Sequence, residues 1–159
     1  MKAIIVYDSV YGNTEKIARA VGEAIAESGE AKVIRPGEVN PSDLESIDLL
    51  VVGSPTHAGR PTKPVQEFLG RIPRKALENV STAAFDTGIS AQGKGIGIRI
   101  VVGIFGYAAG RIAGRLKNKG GHQAVSPEGF IVEGNEGPLK EGELERAASW
   151  AQEIVNSKK

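Results

Sequence analysis

Apolar residues along this chain fall into five short runs, and helical patterns separate the runs from one another. Each run has the length of a strand, and Ile47–Gly53 is apolar almost without interruption, which is typical of a strand buried on both faces of a parallel sheet. The last run is broken at Pro127. We therefore predict five strands, at Ala3–Tyr7, Ala31–Ile34, Ile47–Gly53, Ser81–Phe85 and Gln123–Val132.

Between these runs, apolar residues recur every three or four positions, which is the spacing of an amphipathic helix. In the third such pattern Gly106, Gly110 and Gly114 share a face, and we expect that face to pack closely on the sheet. Strands that alternate with helices at this spacing predict a doubly wound α/β fold, here one domain over residues 1–159. The predicted helices run from Asn13 to Ser28, from Val65 to Arg71, from Gly103 to Lys119 and from Leu139 to Val155.

The composition narrows the chemistry that such a fold can carry. The 159 residues include no cysteine, which excludes disulfides, thiolate nucleophiles and cysteine-ligated iron–sulfur clusters. Any redox chemistry must therefore come from an organic cofactor. The formal net charge is +1, and no stretch concentrates Lys and Arg beyond the segment 111–119, so we predict no nucleic-acid partner.

Two further features bear on where the protein works. The chain enters a strand-like run after one lysine, which is not the form of a signal peptide. The most apolar stretch, Ile96–Ala109, is interrupted by Arg99 and is shorter than the roughly 20 residues that a membrane-spanning helix needs. We predict a cytoplasmic protein without membrane insertion.

The first candidate site lies where the first strand gives way to the first helix. A glycine in this turn tolerates unusual backbone angles, and the first N–H groups of the helix point back at the turn. With the helix dipole, these donors favour an anion, and the neutral polar side chains suit a phosphate monoester. The alternative is an ordinary turn in which Asn13 or Thr14 caps the helix. The candidate residues are Ser9, Val10, Tyr11, Gly12, Asn13 and Thr14.

Two more loops follow predicted strands, Ser54–Pro61 and Asp86–Gly95. In doubly wound sheets ligands bind beyond the carboxyl ends of the strands, at the point where the strand order reverses. Four of the candidates also have a plainer interpretation. Ser54 and Thr56 can be turn residues, His57 a solvated histidine, and Asp86 a side chain that holds its own loop. The candidate residues are Ser54, Pro55, Thr56, His57, Ala58, Gly59, Asp86, Thr87 and Gly88.

These segments resemble the flavodoxin-like family. Its Ser/Thr-x-x-Gly-Asn-Thr pattern is matched at residues 9–14, its Gly-Ser-Pro-Thr loop at residues 53–56, and a weaker third segment at residues 84–88. The resemblance implies a three-layer α/β/α sandwich with a five-stranded parallel sheet of order 2-1-3-4-5. It also implies that FMN is bound, with its phosphate in the first loop and its ring between the second and third.

The chain departs from many flavodoxins in two respects. Neither the second nor the third loop contains an aromatic residue, and Tyr107 is the candidate that replaces one beside the ring, with Phe105 nearby. Many flavodoxins are also strongly acidic, whereas this chain is close to neutral. These departures bear on the redox potential and on the type of partner, and they leave the prediction of FMN binding in place.

The resemblance favours an electron carrier that docks transiently to redox partner proteins, as a monomer or a weak dimer. The alternative is an FMN-dependent NAD(P)H:quinone-type oxidoreductase, although Gly93–Gly97 lacks the spacing of a second nucleotide site. We assign no catalytic residue and no metal ligand. A receiver domain is disfavoured because Asp8 stands alone, and the motifs of P-loop nucleotidases and of hydrolases with a nucleophile elbow are absent from the sequence.

Overall fold

The computed structural model describes residues 1–89 and 108–158, and its centre is a parallel β-sheet. The strands are β1 Lys2–Tyr7, β2 Glu30–Ile34, β3 Leu49–Pro55, β4 Ser81–Ile89, β5 His122–Gln123 and β6 Glu128–Val132. They follow the order β2-β1-β3-β4-β5, and β6 also pairs with β4. This confirms the predicted parallel sheet of order 2-1-3-4-5.

Helices cover both faces of the sheet. The α-helices of the described residues are α1 Asn13–Ala26, α2 Lys63–Arg71, α3 Ala108–Asn118 and α4 Glu143–Ser157. Helices α1 and α4 pack on one face against Ile5 and Val51, and α2 and α3 pack on the other against Val6 and Val52. Successive side chains of a strand point to opposite faces, so each apolar strand supplies both cores. The three-layer prediction is confirmed, and no helix in the described ranges is long and apolar enough to cross a membrane.

Strand β4 is longer than the sequence indicated. We expected a loop from Asp86, but residues 86–88 continue the strand to Ile89. The strand persists because β4 has a partner on each side: Asp86 is in register with Ser54 of β3 and with Gly129 of β6. The predicted loop start is therefore wrong, because the polar residues Asp86 and Thr87 belong to a strand that is paired on both sides.

The fifth predicted strand is divided in two. Strand β5 pairs with Ser81 and Thr82 at the start of β4, and β6 pairs with residues 85–89 at its end. The interruption lies at residues 124–127 and includes Pro127, where the sequence predicted a break. Strands β5 and β6 thus lie on the same side of β4, one beside its start and the other beside its end.

Two predictions about helices need correction. Helix α4 begins at Glu143 rather than at Leu139, because Leu139 forms an antiparallel bridge with Val132 and Gly142 at φ +90° precedes the helix. In α3, Gly114 is exposed, and a Cβ added there would meet nothing within 4 Å. The close packing expected at Gly114 is therefore wrong.

Three aromatic rings fill the core between the sheet and α4. Phe85, Phe130 and Trp150 meet edge to face, with ring centroids 5.9 to 6.0 Å apart. Trp150 is 3% exposed, as its position on the last helix predicted. The ring of Phe85 lies over Gly53 of β3, where an added Cβ would stand 2.0 Å from Cζ. The glycine of the Gly-Ser-Pro-Thr segment therefore makes room for this ring.

A buried carboxylate joins β6 to the start of α4. Glu143 accepts hydrogen bonds from the Ile131 N–H and from Arg146 Nη2, both at 2.7 Å, and Arg146 also pairs with Glu128 at 2.9 Å. Burial raises the pKa of Glu143, but the hydrogen bonds from Arg146 and Ile131 outweigh burial and leave this pKa below its usual value. The ionised carboxylate is thus the form that the fold stabilises.

Replacing this carboxylate should change how stability depends on pH. A glutamate with a lowered folded-state pKa stabilises the protein above its unfolded pKa of about 4.3, and this contribution is lost as pH falls through the folded pKa. We expect Glu143→Gln to cost about 2 kcal/mol of unfolding free energy at pH 7 and less at about pH 3. Urea unfolding across this range measures the difference.

The exposed Glu153 of the same helix provides the control. Glu153→Gln should unfold like the wild type at each pH. If the difference in unfolding free energy between the wild type and Glu143→Gln is the same from pH 7 to about pH 3, the ion pair contributes nothing to the pH dependence.

Candidate functional site

The turn between β1 and α1 forms an open cradle. Gly12 precedes the helix at φ +93°, in the left-handed region that favours glycine, and an added Cβ there would meet nothing within 4 Å. Its N–H donates to Ser9 Oγ at 3.0 Å, which closes the turn. The first amides of α1 have no carbonyl partner within the helix, so they are available to an anion in this cradle.

Two buried side chains fix the cradle to its surroundings. Thr14 Oγ1 lies 2.8 Å from Thr87 Oγ1, which ties the first turn of α1 to β4. Asn13 Nδ2 donates to the main-chain oxygen of Glu136 at 3.1 Å. Neither Asn13 nor Thr14 caps its own helix, because the residue before the helix is Gly12 and no side-chain cap bond is present. The capping alternative is therefore not what the structure contains.

Arg35 stands beside the cradle, and the sequence analysis missed it. Its Nη1 donates to Asp8 Oδ1 at 3.2 Å and to the main-chain oxygen of Ser9 at 3.3 Å. The guanidinium also lies over the ring of Tyr7, 5.1 Å from the centroid. Arg35 follows β2, the parallel neighbour of β1, so the predicted strand order already placed it at this edge of the sheet. It balances the negative charge of Asp8 beside the cradle.

The second candidate segment divides into a buried part and a part that faces the site. Ser54 is fully buried; its Oγ accepts from the Thr62 N–H at 2.9 Å and donates to the Pro55 oxygen at 2.8 Å. Thr56 extends towards β4, where its N–H donates to the oxygen of Thr87 at 2.9 Å. Ser54 thus holds the start of α2, and Thr56 holds the edge of the site.

A tight turn follows at residues 57–60. His57 and Arg60 exchange two main-chain hydrogen bonds, of 2.8 and 3.0 Å, around Ala58 at φ 52° and Gly59 at φ 78°. Arg111 of α3 donates through Nε to the oxygen of Gly59 at 3.0 Å. The turn therefore projects from the sheet and leaves the side chain of His57 exposed.

Asp86 contacts the start of α3. It is 1% exposed, and its Oδ2 accepts from the Ala109 N–H at 2.9 Å. The neighbouring Ala108 N–H donates to Thr56 Oγ1 at 3.2 Å. A carboxylate at a helix N-terminus is favoured by the helix dipole. Asp86 and Thr56 together fix where α3 begins.

A fourth loop, which the sequence analysis did not assign to the site, lies over the cradle. Residues 133–139 return from β6 as a narrow hairpin in which the Glu133 N–H donates to the Pro138 oxygen at 2.9 Å. Its Gly137, at φ 109°, packs against the side chain of Asn13, because a Cβ added there would stand 2.7 Å from the amide atoms. The turn residues Gly134 and Gly137-Pro138, directly after the last strand, were the available signal.

These segments enclose a cavity of about 290 Å³. Ten of the predicted site residues line it, while Gly12, Ser54, Ala58, Gly59 and Asp86 are not among the lining residues. Tyr107 lies outside the described residues. The lining consists of Ser9, Val10, Tyr11, Asn13, Thr14, Pro55, Thr56, His57, Thr87, Gly88, Ile89, Val132 and Asn135.

The lining fits FMN in chemical character. None of the thirteen residues that line the cavity is Asp, Glu, Lys or Arg, so the cradle offers neutral donors without a competing carboxylate. Val10, Pro55, Ile89 and Val132 supply an apolar wall suited to a flat ring. In the described part of the chain, no group of acidic residues or histidines is arranged to hold a metal ion.

Comparisons with known proteins agree with this geometry. The profile of the family described as Flavodoxin matches residues 5–150. A flavodoxin of Clostridium saccharobutylicum is 27% identical over 100% of this chain and 98% of its own length. An NAD(P)H dehydrogenase (quinone) of Methylocella silvestris is 31% identical over 58% of this chain and 59% of that protein.

Among solved structures, flavodoxin 1 from Bacillus cereus superposes with a TM-score of 0.76 at 22% identity, covering 98% of each chain. At this identity the likeness concerns the fold, and the match of the family profile over most of the chain carries the assignment. This chain belongs to the flavodoxin family, whose members bind FMN and transfer electrons.

Proposed function

We propose that the chain is an electron carrier that holds FMN in the cavity described above and exchanges electrons in transient complexes with redox partner proteins. The proposal rests on one observation: the same cavity contains the cradle at the start of α1, whose side chains are uncharged, and an apolar wall. Bound FMN supplies the redox chemistry. The residues of the chain supply binding, orientation and protection from water.

The cradle side chains and the first amides of α1 are the groups that we assign to the phosphate. Ser9, Asn13 and Thr14 offer neutral hydrogen-bonding groups there, and Arg35 balances the charge of Asp8 outside the cavity lining. The bond between Thr14 and Thr87 keeps the cradle at a fixed spacing from β4. The phosphate end and the ring end of the ligand are thereby held in one rigid frame.

Pro55, Thr56, His57, Thr87 and Gly88 are the residues that we assign to the edge of the ring. The bond from the Thr56 N–H to the Thr87 oxygen joins their two segments into one rim. The predicted residues outside the lining act through others: Ser54 and Asp86 position α2 and α3, and Ala58 and Gly59 shape the turn after His57.

A second candidate function is an FMN-dependent NAD(P)H:quinone oxidoreductase. The partial similarity to the quinone-reducing dehydrogenase of Methylocella silvestris favours it. That similarity covers 58% of this chain, whereas the similarity to the clostridial flavodoxin covers all of it. We therefore place the carrier first. Cytoplasmic location, the absence of a nucleic-acid partner and a monomer or weak dimer stay predictions.

An absorbance spectrum of the purified protein, before and after FMN is added and the excess removed, tests cofactor binding. We expect a retained flavin spectrum and quenched flavin fluorescence. Steady-state oxidation of NADH and NADPH, with a quinone as acceptor, then separates the two functions. A carrier should show no sustained turnover with either nucleotide; sustained turnover would favour the reductase, and a protein that retains no FMN would contradict both.

A further inference from the structure

The charged side chains are distributed unevenly among the segments of the chain. The segments 57–80 and 108–121, which comprise α2, α3 and the turns beside them, carry nine basic and two acidic side chains. The other described residues carry eight basic and seventeen acidic ones. We call the first surface the basic face. The two sets of residues therefore carry net charges of opposite sign, +7 and −9, which the value of +1 for the whole chain does not reveal.

The basic face is open to solvent and only slightly neutralised. Seven of its nine basic residues are exposed, and Arg115 and Lys119 are half-buried. Among the residues that the structure describes, the ion pair on this face is that of Lys63 with Glu67, at 3.9 Å and largely exposed. A surface pair of this kind is weak. The positive potential of the face is thus available to a partner.

This face reaches the mouth of the cofactor cavity. Arg111 contacts the oxygen of Gly59, and the turn that contains Gly59 begins at His57, which lines the cavity. Arg60 closes the same turn and is exposed, and Lys63 opens α2 three residues later. A protein attracted to Arg60, Lys63 and Arg111 would therefore be brought against the opening of the cavity.

We propose that the basic face docks an acidic redox protein beside the cofactor cavity. The inference rests on the proposed carrier function and names the chemical class of its partner. Opposite charge on the two proteins raises the rate of encounter and sets their orientation. A nucleic acid is the less suitable occupant, because the one Phe, Tyr or Trp in these two segments, Phe68, is buried and offers no platform for stacked bases.

The test compares two forms of one electron acceptor that differ in charge. Native cytochrome c is basic, and succinylation converts its lysines into carboxylates. The FMN-loaded protein is reduced with dithionite and mixed with either form in a stopped-flow instrument. Each ferric haem takes up one electron from the reduced protein and becomes ferrous. A neutral quinone serves as a third acceptor that is insensitive to charge.

At an ionic strength of about 10 mM, we expect the succinylated form to be reduced at least about tenfold faster than the native form. Added salt should slow the first reaction and accelerate the second. Arg60→Glu with Lys63→Glu should lower the ratio of the two rates by about tenfold. Lys2→Glu with Lys32→Glu makes the same change in net charge away from the basic face and should leave most of the ratio intact.

Three outcomes would overturn the inference. The first is faster reduction of native than of succinylated cytochrome c at low salt, and the second is an equal effect of the two double variants. The third is tighter binding of a duplex oligonucleotide than of the succinylated protein at the same salt. Failure to bind FMN or to reduce the quinone would instead contradict the proposed function, so the two failures are distinguishable.

Discussion

Replacing Ser9 by aspartate should weaken FMN binding by about 100-fold or more while the turn before α1 keeps its shape. An aspartate carboxylate can accept the Gly12 N–H that Ser9 Oγ accepts at 3.0 Å, so the local backbone retains its hydrogen bond. The change adds one negative charge to a cavity lining without Asp or Glu. Like charges about 5 Å apart near a protein surface repel by about 3 kcal/mol.

The matched control is Ser9→Asn, which offers the same acceptor without the charge. We expect its affinity for FMN, measured by fluorescence quenching, to stay within about tenfold of the wild type. Riboflavin lacks the phosphate, so Ser9→Asp should bind riboflavin as the wild type does. If aspartate and asparagine weaken FMN binding equally, or if riboflavin affinity falls as far as FMN affinity, the phosphate does not occupy this cradle.

Gly53→Ala should destabilise the fold by about 3 kcal/mol, which corresponds to a fall in Tm of about 10 °C for a chain of this size. The added methyl group would stand 2.0 Å from Cζ of Phe85, whose ring is fully buried against Phe130 and Trp150. The ring must shift within a close-packed aromatic cluster. Thermal or denaturant unfolding measures the loss.

Gly37→Ala is the control, because a Cβ added at Gly37 meets nothing within 4 Å and the backbone there is compatible with alanine. Its effect should stay within about 0.5 kcal/mol. In a Phe85→Leu background the cost of Gly53→Ala should shrink, since the atoms that clash are gone. An equal cost in both backgrounds would show that Phe85 is not the obstacle.

The architecture was predictable because the spacing of apolar residues in each segment matches one type of secondary structure. Continuous apolar runs predicted the parallel strands. Apolar residues one helical turn apart, such as Ile17 and Val21, predicted a helix, and the structure buries these residues against the sheet. The first loop was predictable for a local reason: a glycine at positive φ and a hydroxyl acceptor three residues earlier are both short-range features. Local pattern was sufficient in each case.

The remaining site features depend on contacts between distant residues. Arg35 reaches Asp8 across 27 positions, and Asp86 reaches Ala109 across 23, so neither partner is visible in a local pattern. Asp86 also misled the prediction of β4, because a polar residue paired on both sides looks like loop sequence when its neighbours are unknown. Burial of Ser54 was hidden for the same reason: its donor, the N–H of Thr62, comes from the start of α2.

The aromatic cluster gives this molecule an optical property of its own. Trp150 is the one tryptophan of the chain, and its indole is enclosed beside Phe85 and Phe130, away from water. Its emission therefore comes from one apolar environment, and it overlaps the near-ultraviolet absorption band of oxidised flavins. Energy transfer to the cofactor lowers the intensity of this emission. Exposure of the indole to water on unfolding shifts the emission to longer wavelength. A single unlabelled fluorophore thus distinguishes an empty protein from an unfolded one.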